Sequence, residues 1–180
     1  MKRIMFATSN NRKVHEAQLA CNPLGIKIIQ KNVDIYEIQS SDGLKVSEHK
    51  ARDAYNIIQK PVVVTDSFWH ITALNGFPGA YAKEVDSWFN EKNFLDLVKD
   101  YDDKSISFSE NISYFDGETL KQFTQTYWGN IVEPRGTGQA LENIVEIDGV
   151  TLGEHRQKGT VSHSAEDYVW IEFARWFANR

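Results

Sequence analysis

VVVTDSFWHITALNGFPGAY, residues 62–81, opens as an unbroken apolar run, breaks off at Asp66 and passes soon after into the turn-rich NGFPG. Val62, Val63, Val64 and Thr65 are all β-branched, which predicts a strand buried on both faces, and such strands occur chiefly in parallel sheets covered by helices. Ligands of open α/β sheets sit at the carboxyl ends of the strands, so a carboxylate at the end of a buried strand falls where a ligand binds. On that ground Asp66 is the first candidate for a catalytic residue. The plainer alternative is that it caps the following turn, as Asp often does.

Upstream, RIMFAT (residues 3–8) reads as a short strand, and SNNRK leads into a helical pattern in which Val14, Ala17 and Cys21 recur three and four apart. The positive end of that helix, with its amides and Lys13 in the first turn, suits an anion; a solvated lysine and an ordinary cap at Ser9 or Asn10 is the bland alternative. Gly25 precedes a second strand, IKIIQKNV. The polar connector DIYEIQSSDG carries Asp34, Glu37 and Asp42. A helix of about 16 residues follows, with Leu44, Ala51, Ala54, Tyr55 and Ile58 on one stripe, ending before Pro61.

Downstream of the NGFPGAY turn, EVDSWFNEKNFLDLVKD predicts one amphipathic helix with Val85, Trp88, Phe89, Leu95 and Val98 inward. From Ser105 the period changes to two: SISFSENISYF and TLKQFTQTYWGNIVE alternate around DGE, which predicts an antiparallel pair. Residues 134–159 show little periodicity. The last helix stacks Val169, Trp170, Phe173 and Phe177 on one face and begins near Ser164-x-x-Asp167, close to a capping box.

The chain has 180 residues, 41% of them hydrophobic and 12% aromatic, enough for one domain with a sizeable core. The formal net charge of −5, with Lys and Arg scattered, argues against duplex nucleic acid as a partner. A small phosphorylated ligand is still admitted, because amides, one or two lysines and a metal hold it locally. No run reaches the roughly 20 apolar residues of a membrane span. Cys21 is the one cysteine, so there is no internal disulfide, and a reducing cytoplasm is the expected home.

Taken in order, these segments resemble the inosine/xanthosine triphosphate pyrophosphatase (ITPase) family, which removes aberrant purine nucleotides before polymerases use them. Thr8-Ser9-Asn10-Asn11-Arg12-Lys13 is similar to the family's T-[GS]-N-x-x-K, and residues 33–39 to the segment whose Glu helps to hold the metal. Residues 62–81 resemble V-x-V-[DE]-D-[ST]-x8-G-x-P-G-x-Y, with Asp66 on the essential carboxylate. Trp128 to Ile131 with Pro134-Arg135-Gly136, and Lys158 to His163, resemble the G-x-I…P-R-G and K-N-x-[IV]-S-H strings. The resemblance implies an elongated, twisted mixed α/β sheet flanked by helices, with an antiparallel extension, forming a single domain (1–180) of two lobes around a nucleotide cleft. It implies Asp66 and Lys13 as catalytic residues, Glu37 and Asp66 as ligands of Mg²⁺, and Thr8, Ser9, Asn10, Lys13, Ser67, Lys158 and His163 as contacts to a nucleoside triphosphate. A homodimer is implied as well; Trp88, Phe89 and Phe94 suit either its interface or the core.

The chain departs from the family where the base is read. The family's aromatic G-F-G-[YW]-D-P is here Gly138 to Asn143 (GQALEN), Ser164 replaces an arginine after Ser162-His163, and Thr65 stands where a second acid is common. A lost base stack is worth ~1–3 kcal/mol. Two readings follow: a pyrophosphatase with altered base preference, in which Trp69, Trp128 or another aromatic replaces the stack, or a nucleotide-binding or interaction protein that has lost turnover.

Overall fold

The computed structural model describes residues 1–160 and 168–180. The expectations on His163, Ser164 and the Ser164–Asp167 cap lie outside the described residues. In chain order the elements are β1 (Lys2–Ala7), α1 (Asn11–Cys21), β2 (Ile26–Lys31), α2 (Gly43–Ile58), β3 (Val62–Ile71), β4 (Pro78–Gly79), α3 (Ala82–Trp88), α4 (Glu91–Val98), β5 (Ser105–Phe115), β6 (Leu120–Ile131), α5 (Ala140–Ile144), β7 (Val145–Ile147), β8 (Val150–Thr151), α6 (Leu152–Lys158) and α7 (Val169–Ala178). The strands follow the order β2-β1-β3-β5-β6-β7-β8, with β4 on β3. β1 is parallel to β2 and β3, whereas β4, β7 and β8 pair antiparallel to their partners. This is the mixed α/β sheet with an antiparallel extension that the sequence predicts.

The chain divides into two compact units: Met1–Asp66 with Glu110–Gln125 and Ala165–Arg180, and Ser67–Ser109 with Thr126–Ser164. In the first, Val63 packs with Ile4, Phe6, Ile112 and Phe123 in the cluster of Val14, Ala17 and Cys21 of α1 and Trp170, Phe173 and Phe177 of α7. Val62 and Val64 pack instead with Ala51 and Ala54 of α2. Successive side chains of a strand point to opposite faces, so the valine run is buried on both sides, as its composition predicts.

Asp66 is not the end of its strand, because β3 continues to Ile71. β1 stops at Ala7, however, and its register sets Phe6 beside Val63, so Asp66 lies just beyond the carboxyl end of that parallel neighbour. The stripe of α2 is also shifted: Leu44 is exposed, while Val46 and Ser47 join Ala51 and Ala54 inside. Ser47 is a buried hydroxyl on an apolar stripe, and Ser113 Oγ of β5 donates to it at 2.8 Å.

In the second unit the single helix expected after the FPG turn is two. Asn90 breaks it and caps α4, its side chain accepting from Asn93 N while the Asn93 side chain accepts from Asn90 N. The break turns Trp88 outward, 75% exposed, and Phe94 inward at 0%. Residues 134–159 hold two short helices and two short strands, each too brief to show a period. Leu141, Ile144 and Leu152 pack there with Trp69, Ile71 and Ile106.

Candidate active site

The turn after β1 is built from its own side chains. Thr8 Oγ1 accepts a hydrogen bond from Asn10 N at 3.1 Å. Asn10 Oδ1 in turn accepts from Arg12 N at 3.0 Å and from Lys13 N at 3.4 Å, capping α1 as short polar side chains do. The amides of Arg12 and Lys13 are therefore engaged by Asn10, and the charge that this turn sets near Asp66 is that of Lys13. Its side chain is partly buried, and loss of hydration pushes the ammonium below its ordinary pKa. The charges of Asp66 and Glu110 oppose that shift, while Lys50 and Arg12 add to it.

Lys50 of α2 joins the two carboxylates singled out in the sequence. Its Nζ donates to Asp66 Oδ1 at 2.6 Å and lies 3.2 Å from Glu37 Oε1. Burial disfavours the Lys50 ammonium, but the two carboxylates outweigh it and hold the pKa above the ordinary value. Glu37 is on the irregular connector, whose position is fixed from both sides. Val33 and Ile35 pack against the α2 core, and Tyr36 N donates to Asp53 Oδ2 at 3.0 Å. The Tyr36 ring meets His49 edge-on, with centroids 6.2 Å apart.

Asp66 Oδ2 is buried and has no hydrogen-bond partner among the described residues. A buried carboxylate oxygen left this way is a ready ligand for a hard cation. Among the described residues no group of three or more His, Cys, Asp and Glu side chains could hold a metal. Glu37 and Asp66, which approach one ammonium, could hold an ion that takes one or two carboxylates and completes its shell with other oxygens.

Lys13, Glu37 and Asp66 are brought together in the first unit, with Lys50 and the charge of Glu110 added by the structure. Lys50 was legible in principle: it stands three residues after Ser47 and four before Ala54, hence on the inward stripe of α2. Ser67 is half-buried in β3, and Lys158 is exposed at the end of α6; both belong to the second unit. The segment in place of the family's aromatic string is consumed by packing. Leu141 is 1% exposed, its amide donates to Asp86, and Asn143 Nδ2 donates to Glu91 at 2.7 Å. Trp69 is buried against Phe108, with centroids 4.5 Å apart, so it presents no face to a base, whereas Trp128 is exposed.

Known proteins are similar to this chain over all or nearly all of its length. The chain is 32% identical to the dITP/XTP pyrophosphatase of Methanosarcina acetivorans, a match that covers 100% of both. It is 36% identical to the dITP/XTP pyrophosphatase of Thermococcus kodakarensis, covering 97% of this chain and 96% of the relative. The inosine triphosphate pyrophosphatase of Fusarium vanettenii is 29% identical, with coverage of 97% and 96%. Among solved structures, a HAM1 protein from Coxiella burnetii shares the fold at a TM-score of 0.85 and 24% identity over 100% of both chains. The model of the Ham1 family matches residues 4–166, which take in the Thr8–Lys13 turn, Glu37, Lys50 and Asp66 alike, and the chain therefore belongs to the Ham1 family.

Proposed function

We propose that this protein is a cytoplasmic, Mg²⁺-dependent nucleoside triphosphate pyrophosphatase that converts aberrant purine triphosphates to the monophosphate and pyrophosphate. The observation that carries this reading is the convergence of two lysines and two carboxylates, Lys13, Lys50, Glu37 and Asp66, at the carboxyl end of β1. The pyrophosphatase names of relatives that match the chain from end to end support it.

A triphosphate brings about four negative charges, so its hydrolysis requires fixed cations and a positioned water. Lys13 and Lys50 would bind the phosphate oxygens and stabilise the charge that builds on the leaving pyrophosphate. Glu37 and Asp66 would hold Mg²⁺, which would supply positive charge against the phosphate oxygens. Asp66 would also orient the attacking water and accept its proton. A bond forms between the water oxygen and the α-phosphorus, the bond from the α-phosphorus to the α–β bridging oxygen breaks, and its electron pair leaves with that oxygen on pyrophosphate. The Thr8 turn places Lys13, with Ser9, Asn10, Ser67, Lys158 and His163 as further substrate contacts.

The homodimer belongs to the same reading, and the outward Trp88, 75% exposed, is a natural element of its interface. The test is pyrophosphate release from a panel of inosine, xanthosine and common nucleoside triphosphates and their deoxy forms, with and without Mg²⁺. Metal-dependent release is expected, fastest with inosine or xanthosine triphosphate. Absence of release from every nucleotide overturns the reading in favour of a binding protein of the same fold.

A further inference from the structure

Resting on that reading of the site, we propose that the Lys50 ammonium occupies the place of the divalent cation between Glu37 and Asp66, and so holds off bare metal until a triphosphate arrives.

The geometry is that of a bridged site. One ammonium lies 2.6 Å from Asp66 Oδ1 and 3.2 Å from Glu37 Oε1. The Lys50 and Asp66 side chains are 14% and 13% exposed, so water screens the pair poorly. A bare divalent ion seeking these carboxylates must displace the ammonium. That leaves Lys50 desolvated without its partners, close enough to Lys13 for the two charges to repel.

The carboxylate inventory sharpens the point. Thr65 stands where a third acid would strengthen the metal's hold, and its Oγ1 is buried without a hydrogen-bond partner among the described residues. Two carboxylates already bridged by a lysine make a poor site for a naked ion. An incoming triphosphate changes the balance, because its oxygens give the Lys50 ammonium a new partner and give the metal the ligands that the protein lacks. Metal and triphosphate then promote each other's binding through one side chain that must change partners, which is a coupling free energy in the strict sense.

The test is Mn²⁺ binding to the full chain without any nucleotide, measured by electron paramagnetic resonance and calorimetry on the wild type, Lys50→Met, Lys50→Gln and Lys50→Arg. The neutral variants are expected to bind Mn²⁺ at least about tenfold more tightly than the wild type, and Lys50→Arg as weakly as the wild type. Two neutral variants guard against the loss of either to misfolding, which circular dichroism reads. Equal affinity in the wild type and a folded neutral variant overturns the proposal, as does an equal gain in Lys50→Arg. No turnover enters this measurement. Pyrophosphate release without the Mn²⁺ gain sinks only the role of Lys50, and the gain without any release sinks only the assigned reaction.

Discussion

The Tyr36 amide donates a 3.0 Å hydrogen bond to Asp53 Oδ2, and this ties the connector that carries Glu37 to α2, one turn beyond Lys50. Asp53→Ala removes the tie. A hydrogen bond of this kind contributes about 0.5–1.5 kcal/mol, so the Mg²⁺ needed for half-maximal pyrophosphate release should rise roughly two- to tenfold, with little change at saturating metal. Asp53→Asn, whose amide oxygen still accepts, should stay near the wild type. An unchanged Mg²⁺ requirement in Asp53→Ala would show that Glu37 is positioned by other contacts.

Asp66→Asn keeps the size of the side chain and removes both the proton acceptor and the charge. Turnover should fall by about 10²- to 10⁴-fold, the usual range for loss of a general base. Tripolyphosphate binding, read by calorimetry, should persist because Lys13 and Lys50 remain. A variant that turns over as fast as the wild type would place the base elsewhere.

Asp86 supplies a pH prediction in the second unit. Burial, followed by the charges of Glu142 and Glu91, raises its pKa, and the amides of Leu141 and Ala140 only partly oppose this. Between the unfolded value of 3.8 and the raised folded value, the native state holds more protons than the unfolded chain. The contribution of Asp86 to stability therefore falls as pH rises through that window. Asp86→Asn does not titrate and keeps an oxygen for the α5 amides. It should match the wild type in acid and become the more stable of the two near pH 7, as read by urea midpoints at both pH values.

Gly136 of the P-R-G string has a structural cause for being glycine. Its φ is +84°, and an added Cβ would lie 2.1 Å from Gly153 C and 2.2 Å from Glu154 N, both backbone atoms. Gly136→Ala should lose at least about 1–3 kcal/mol from the left-handed backbone alone, with the clash added. A thermal melt reads that loss directly. A melt at the wild-type temperature would refute the close approach.

Strands β1, β2 and β3, helices α1, α2 and α7, and the pairing of β5 with β6 were legible because each buries a long face with a clear period. So were Lys13, Glu37 and Asp66, each set in a short string that resembles a known family. The inward stripe of α2 marks the position of Lys50 but not its role, because its partners come from elements elsewhere in the chain, one of them an irregular connector. The break at Asn90 was hidden because Trp88 and Phe89 continue the apolar count across it, although their environments differ. Trp69 looked available to a base on aromatic character alone, and only its contact with Phe108 shows that it is occupied.

The Thr8–Lys13 turn has already spent its conformational freedom. Thr8 holds Asn10, and Asn10 holds the first turn of α1, through bonds that involve no ligand. Ordering such a segment during association would subtract from affinity, by roughly 1–2 kcal/mol for each backbone residue fixed. Because those bonds form without a ligand, a triphosphate bound as proposed would meet a turn that is already ordered at this end of the site. Its capture there would then be governed by charge and encounter rate rather than by a slow rearrangement of the loop.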